Sequence, residues 1–179
     1  ENIEKDDLNK KTGLNLGAII EGVRGVHLLK TGATIEKPII HGLHSNRVAI
    51  INNDVKQKGQ EWGAEHAPEI DPYSAGEIKV IKGAESVKYG GEAMGGAILI
   101  SPPTLRMDTT IYGSLRLAGQ SNGRSVSGAL KLGGHHRKLP HFSWMVQASA
   151  KKSGNLKTAD YYLENSGVQE TNVHAYLNY

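Results

Sequence analysis

Residues 142–151 read FSWMVQASAK, and apolar side chains alternate with mainly polar ones along this stretch. Successive side chains of a β-strand point to opposite faces, so a period of two predicts a strand with one apolar face. The same alternation recurs in IYGSLRLA at 111–118, VSGALKL at 126–132 and VHAYLNY at 173–179. We therefore predict strands in antiparallel pairs, joined through 120–123, 135–140 and 153–168, over residues 107–119, 124–134, 141–152 and 169–179.

Two kinds of sheet produce this pattern. In an outer-membrane β-barrel, strands of about ten residues alternate lipid-facing and lumen-facing side chains. A soluble antiparallel sheet with one wet face gives the same alternation. Periodicity alone leaves both interpretations open. Four such strands cannot close a barrel, so in either case two edges need a partner or a cover.

The first 103 residues follow a different pattern. Residues 4–22 predict one or two short helices, and Asp71-Pro72 predicts the start of another. Short apolar or β-branched runs predict strands near 39–41, 47–52, 78–82 and 96–101, forming one small mixed sheet, with a separate short strand at 26–29. We therefore predict an α+β domain over 1–103 and a strand-rich domain over 104–179.

Composition excludes several functional classes. The 179 residues carry a net charge of +3, too small to indicate nucleic-acid binding. The charge is uneven: residues 1–103 hold 12 basic and 14 acidic side chains, and the rest hold 9 and 4. The absence of cysteine excludes disulfides, Cys-ligated zinc and thiol nucleophiles. No run of 18 apolar residues occurs, so the sequence predicts no transmembrane helix.

Three patterns that resemble catalytic or ligand-binding motifs do not have the required spacing. The glycine-rich run at 89–96 precedes a predicted strand, whereas a dinucleotide-binding loop follows one. The eight histidines show no metal-binding spacing. The carboxylates of Glu61, Glu65 and Glu69 flank His66 without an accompanying nucleophile. We predict no enzymatic activity, no cofactor and no metal centre.

A series of short motifs then follows in a fixed order between residues 14 and 103. They are GVRGV at 22–26, PIIHGL at 38–43, RVAIINNDV at 47–55, IDP at 70–72, IKVIKG at 78–83, SVKYG at 86–90 and AMGGAILI at 93–100. The series resembles the plug domain of TonB-dependent outer-membrane receptors, whose usual forms include P-x-I-R-G-L, R-V-x-V-L-x-D-G-V, I-D-P and Y-G-x-x-A-x-G-G-V-I-N-I. Residues 60–71 (QEWGAEHAPEID) are similar to a subgroup common in Bacteroidetes.

The resemblance implies a nutrient importer. In that family a plugged barrel of about 22 strands binds a scarce nutrient. The energy-transducing protein TonB then pulls a short N-terminal box, which is not found before the first helix here. The chain is then expected to be a plug plus the first barrel strands of an outer-membrane protein, with a ferric siderophore or other metal chelate as cargo and outer-membrane lipid around it. The piece alone is expected to behave as a soluble domain. The alternative is a non-transporting soluble or surface β-rich binding or adhesion module.

The resemblance also suggests site residues. The family's plug apices correspond to His44–Asn46, Lys58–His66 and Tyr73, so the predicted substrate contacts are His44, Ser45, Asn46, Gln60, Trp62, His66 and Tyr73. Trp62 is the leading candidate, because an aromatic between glycines in a polar loop offers contact area at low entropy cost. The alternative is that Trp62 packs down onto the plug.

Two positions that contribute to plug–barrel latching in the family are altered in this sequence. His41 and Lys82 occupy positions that are usually arginine. A lysine can pair with a carboxylate but lacks the bidentate guanidinium, and a histidine pairs in this way only when it is protonated. We expect a latch at these residues that differs from the usual one.

Overall fold

The computed structural model describes residues 1–30, 35–58, 70–108, 110–136 and 139–179. The chain divides into two compact units, Glu1–Pro102 and Pro103–Tyr179. Two short α-helices are α1 (Lys5–Lys10) and α2 (Leu16–Ile20). The described strands are β1 (Asn2–Ile3), β2 (Val26–Lys30), β3 (Glu36–Ile40), β4 (Val48–Asn52), β5 (Val55–Gln57), β6 (Glu77–Lys82), β7 (Gly96–Ser101), β8 (Tyr112–Gln120), β9 (Ser125–His136), β10 (Leu139–Ser153) and β11 (Val168–Asn178).

A mixed five-stranded sheet, hereafter the first sheet, forms the centre of the first unit. Its strand order is β1-β6-β7-β4-β5. Strands β4 and β7 run parallel, with Ile50 opposite Ile98, and the other pairs are antiparallel. Strands β4 and β7 are almost continuously apolar, because both faces of this part of the sheet are covered. Ile50, Ile78 and Ile98 are completely buried.

The helices of the first unit complete its core. Asn15 caps α2, with its side-chain oxygen accepting a hydrogen bond from the Ala18 amide at 2.9 Å. This satisfies one of the amides that a helix leaves unpaired at its start. Ile19 and Ile20 of α2 are buried in the main hydrophobic cluster together with Leu8 of α1. The two predicted helices of residues 4–22 are therefore confirmed.

One predicted strand belongs elsewhere. Residues 39–41 were expected in the mixed sheet, but β3 pairs with β2 in a separate two-stranded sheet, with Val26 opposite Ile40. The strand ends at Ile40 because His41 and Gly42 both have positive φ, at 51° and 78°, which turns the chain back on itself. The predicted strands at 47–52, 78–82 and 96–101 are in the mixed sheet and are confirmed.

The second unit is built on a four-stranded antiparallel sheet, hereafter the second sheet, in the order β11-β10-β9-β8. The predicted antiparallel pairing of consecutive strands is confirmed. The first strand begins at Tyr112 rather than at 107. Residues 104–108 (TLRMD) alternate polar and apolar residues but belong to no strand, and Arg106 pairs with Asp108 at 3.2 Å.

Side-chain exposure in the second sheet is the reverse of that in a water-soluble sheet. Leu117 and Leu177 are 71% and 73% exposed, whereas Ser143 and Gln147 are completely buried. The register places one apolar row of Leu115, Leu130, Ala148 and Val173 side by side on the exposed face. The alternation predicted from the sequence is therefore present with its apolar face outwards.

No helix in the described part of the chain is both long enough and apolar enough to cross a membrane.

Candidate functional site

Two loop segments meet at one end of the first sheet, and we call this end the loop end. They are residues 41–47, which precede β4, and residues 83–95, which precede β7. Because β4 and β7 are parallel and pair from Val48 and Gly96 onwards, the segments before them arrive side by side. The Gly95 amide donates a hydrogen bond to the Arg47 carbonyl at 2.8 Å. The loop end is therefore fixed by the sheet beneath it.

His41, one of the two predicted latching residues, is an exposed turn residue at this end. Ile40 and Leu43 exchange backbone hydrogen bonds of 2.9 and 3.0 Å around His41-Gly42. Positive φ at both central residues defines a type I′ turn, which matches the twist of a hairpin. His41 is exposed at this turn, and its role in latching stays a prediction.

His44, Ser45 and Asn46 follow in a short 3₁₀ turn, Ser45–Arg47. The His44 Nδ1 and the Ser45 hydroxyl are 2.9 Å apart. The Nζ of Lys37 donates to the same Ser45 hydroxyl at 3.5 Å, and Lys37 is only 1% exposed. A buried ammonium under an exposed polar tip supports the positions of His44 and Ser45. Lys37 was not predicted, since a single lysine in the run EKPII gives no signal of its burial.

Gly95 allows the two loop segments to approach closely. A Cβ added at Gly95 would lie 2.8 Å from the Leu43 Cβ, 3.0 Å from the Arg47 carbonyl oxygen and 3.1 Å from the Ile40 carbonyl oxygen. Beside it, the Arg47 guanidinium contacts the Met94 sulfur at 3.6 Å. Gly95, within the glycine-rich run at 89–96, thus acts as a packing element.

Lys82, the second predicted latching residue, lies where β6 ends. Its Nζ donates to the Arg24 carbonyl at 2.6 Å and is 3.8 Å from a carboxylate oxygen of Glu1. Another ion pair joins Lys56 to Glu92 of the 83–95 segment. Both lysines thus tie loop segments to the sheet of the first unit.

Tyr73 lies away from the other predicted contacts. It belongs to the 3₁₀ turn Pro72–Ser74, capped by Asp71, whose Oδ1 accepts from the Tyr73 amide at 2.9 Å. This confirms the predicted short helix. The turn leads into Gly76, whose amide bonds to the Ser101 carbonyl at the far end of β7. Tyr73 is 8% exposed, so the structure does not bring it together with His44–Asn46.

Three predicted contacts, Gln60, Trp62 and His66, lie outside the described residues. Among the residues that are described, no group of three or more His, Cys, Asp or Glu side chains is arranged to hold a metal ion. The pKa of Arg106 is raised, first by its side-chain hydrogen bond to Asp108 and then by the charge of that carboxylate. The described loop end offers hydrogen-bonding groups and no catalytic constellation.

The two units together define a class of protein. A small mixed sheet closed by glycine-rich turns is followed directly by antiparallel strands with their apolar side outwards, as in a receptor with an internal plug. Residues 1–97 match the family model described as the TonB-dependent Receptor Plug Domain. The chain belongs to this family, as the order of its motifs suggested. The similarity to a Bacteroidetes subgroup stays a prediction.

Solved structures with the same fold are receptors and transporters. The FrpB iron transporter from Neisseria meningitidis has a TM-score of 0.81 at 16% identity, over 97% of this chain and 27% of that one. The siderophore receptor PirA from Acinetobacter baumannii gives 0.77 at 16% identity, over 99% and 28%. A mutant of the ferric enterobactin receptor PfeA from Pseudomonas aeruginosa, in complex with enterobactin, gives 0.68 at 18% identity, over 88% and 25%. The chain thus spans little more than a quarter of these relatives.

Proposed function

We propose that this chain is the plug and the first barrel strands of an outer-membrane receptor that binds a scarce nutrient, a ferric siderophore or other metal chelate, and imports it into the periplasm. The observation that carries the proposal is the inverted exposure of the second sheet, directly after a plug domain. Leu115, Leu117 and Leu177 are each at least 65% exposed on one face. Such a face is stable against hydrocarbon and unfavourable in water.

Aromatic side chains at one rim of that face support a membrane location. Trp144 is opposite Leu177 of β11, and the exposed Tyr179 follows directly after the end of that strand. Lipid-facing bands of outer-membrane barrels are flanked by aromatic residues at the level of the headgroups. The second sheet would then place this rim at one membrane surface and its other rim, near Lys152, at the opposite surface.

The names of the similar structures suggest the class of cargo. They include receptors for siderophores and ferric enterobactin, an iron transporter and a copper transporter. In this chain the plug would gate the barrel, with His44, Ser45 and Asn46 presented to the cargo at the loop end. Gln60, Trp62 and His66 would add further contacts to the cargo. TonB would supply the energy for import.

Uptake of labelled ferric siderophores by cells producing the full-length protein tests the proposal. We expect uptake that requires TonB and the proton gradient, with the protein in the outer-membrane fraction. Trp62→Ala should weaken cargo binding about tenfold or more if Trp62 is an anchor. Val87→Ala is the matched control. It also truncates an apolar side chain of the plug, and Val87 is 64% exposed. TonB-independent uptake, or a protein found only in the soluble fraction, would refute the proposal.

A further inference from the structure

The second unit contains a cleft at the end of its sheet where two loops meet. One loop is the turn 121–124 between β8 and β9, and the other is the segment 154–167 between β10 and β11. The cleft encloses about 500 Å³, within the usual range of ligand sites. Its lining includes Asn122, Arg124, Asn155, Lys157, Thr158 and Tyr162.

Side-chain bonds build this cleft without a ligand. The Asn122 amide bonds to both backbone groups of Lys157: its Nδ2 donates to the carbonyl at 3.0 Å, and its Oδ1 accepts from the amide at 2.8 Å. The Gly154 amide donates to the Gly123 carbonyl at 2.7 Å. A Cβ at Gly123 would lie 2.9 Å from Leu156 Cδ2, so glycine is needed where the loops touch. The walls are thus held in place before binding, which lowers the entropy cost of binding.

The 154–167 segment is also tied to itself. The Ser166 hydroxyl accepts from the Leu156 amide at 2.8 Å and donates to the Leu163 carbonyl at 2.6 Å. The Asn155 side-chain oxygen accepts from the Gly167 amide at 3.2 Å. A loop of this length with so many internal bonds is more typical of a binding loop than of a simple connection.

The charge of the cleft indicates its ligand. Arg124 and Lys157 line it, and no acidic side chain does. Within the described part of the chain neither cation forms an ion pair with a carboxylate, and the Lys157 ammonium lies 5.8 Å from the centre of the Tyr162 ring. Two cations without an acidic partner match the charge of a phosphate monoester, which is close to −2 at neutral pH. Arginine in particular offers a planar pair of donors to phosphate oxygens.

We propose that this cleft binds a phosphate group, through the Arg124 guanidinium and the Lys157 ammonium, on a soluble phosphate ester or on a phosphorylated lipid headgroup. The proposal is separate from nutrient import, because phosphate binding by the purified protein is measured without transport. The phosphate site rests on the proposed function in one respect only: the orientation of the receptor in the membrane decides which side of the membrane the cleft faces.

The test uses the full-length protein in neutral detergent micelles at one fixed ionic strength. Inorganic phosphate represents the soluble source, and micelles containing phosphatidic acid, compared with phosphatidylcholine, represent the lipid source. We expect saturable binding that weakens about tenfold in Arg124→Gln and in Lys157→Gln, as expected for loss of one charge-assisted contact. Lys152→Gln is the control, since it removes one exposed positive charge of the same unit that does not line the cleft.

The outcomes separate the possibilities. Saturation by inorganic phosphate identifies a soluble ligand, and saturation by phosphatidic acid alone identifies a lipid headgroup; either supports the site. Equal weakening in Lys152→Gln overturns it, because the attraction then comes from the general charge of the unit. Binding of neither probe, or binding unchanged in Arg124→Gln, also overturns it.

Discussion

Leu130 tests whether the exposed face of the second sheet contacts lipid. It lies in the central row of the apolar face, between Leu115 and Ala148, and is 47% exposed. Leu130→Arg places a positive charge on this exposed face and leaves the buried core unchanged. At the midplane of a bilayer an arginine on the lipid side of a barrel costs about 2–4 kcal/mol. On a water-facing sheet the same exchange changes stability by about 0.5 kcal/mol or less.

Gln169→Arg is the matched control. Gln169 is exposed on the same face and pairs with Lys152, which is opposite Val126. Val126 is separated from Leu130 by about 13 Å along the strand, at about 3.3 Å per residue. A tilt of about 45° reduces this to about 9 Å in depth, and Gln169 is the second residue of β11, directly after the loop 154–167, where a spanning strand begins near the interface. There the expected cost falls to about 0–1 kcal/mol.

The assay is reversible urea unfolding of the full-length protein in phospholipid bilayers. We expect Leu130→Arg to lower the free energy of unfolding by about 2–3 kcal/mol more than Gln169→Arg, roughly 30- to 150-fold in the folding equilibrium constant. Equal and small effects of the two substitutions would refute lipid contact. They would favour the alternative of a soluble β-rich binding module.

Three further predictions concern named contacts. Gly95→Ala should destabilise the first unit by about 1–3 kcal/mol through overpacking, whereas Gly91→Ala, which has open space around its Cβ, should have little effect in the same urea titration. Asp71→Ala removes the cap of the 72–74 turn and should cost about 0.5–2 kcal/mol, measured by the same titration. Asn122→Ala should speed hydrogen exchange of the Lys157 amide about fivefold, because one hydrogen bond of about 1 kcal/mol is lost. Unchanged exchange would show that the protection of this amide does not depend on Asn122.

The strands of the second unit were predictable because their signal is local. Alternation with a period of two is visible over 142–151, and the register of β9, β10 and β11 follows once neighbouring strands pair in antiparallel. The start of β8 at Tyr112 was not found, because residues 104–108 (TLRMD) also alternate polar and apolar residues and give no signal for a later start. The direction of exposure, which distinguishes a lipid face from a wet face, also required the structure.

Contacts between separate segments account for several features that the sequence did not predict. β3 pairs with its chain neighbour β2, and nothing in PIIHGL distinguishes that pairing from a place in the mixed sheet. Lys37 is buried because it meets Ser45 across the turn at His41-Gly42. The cleft at Arg124 arises in the same way, where antiparallel strands bring together two loops that are separate in sequence. Such sites depend on contacts that no single motif encodes.

The two units place apolar side chains in opposite ways within one chain. In the first unit the isoleucines of α2 and of the central strands are buried, which is the arrangement that water favours. In the second unit leucine and valine cover the exposed face while serine and glutamine are buried, which water disfavours. The first unit can therefore gain its stability from its own core. The exposed face of the second unit would be stabilised by an apolar surrounding, which is the condition that the proposed location in a bilayer supplies.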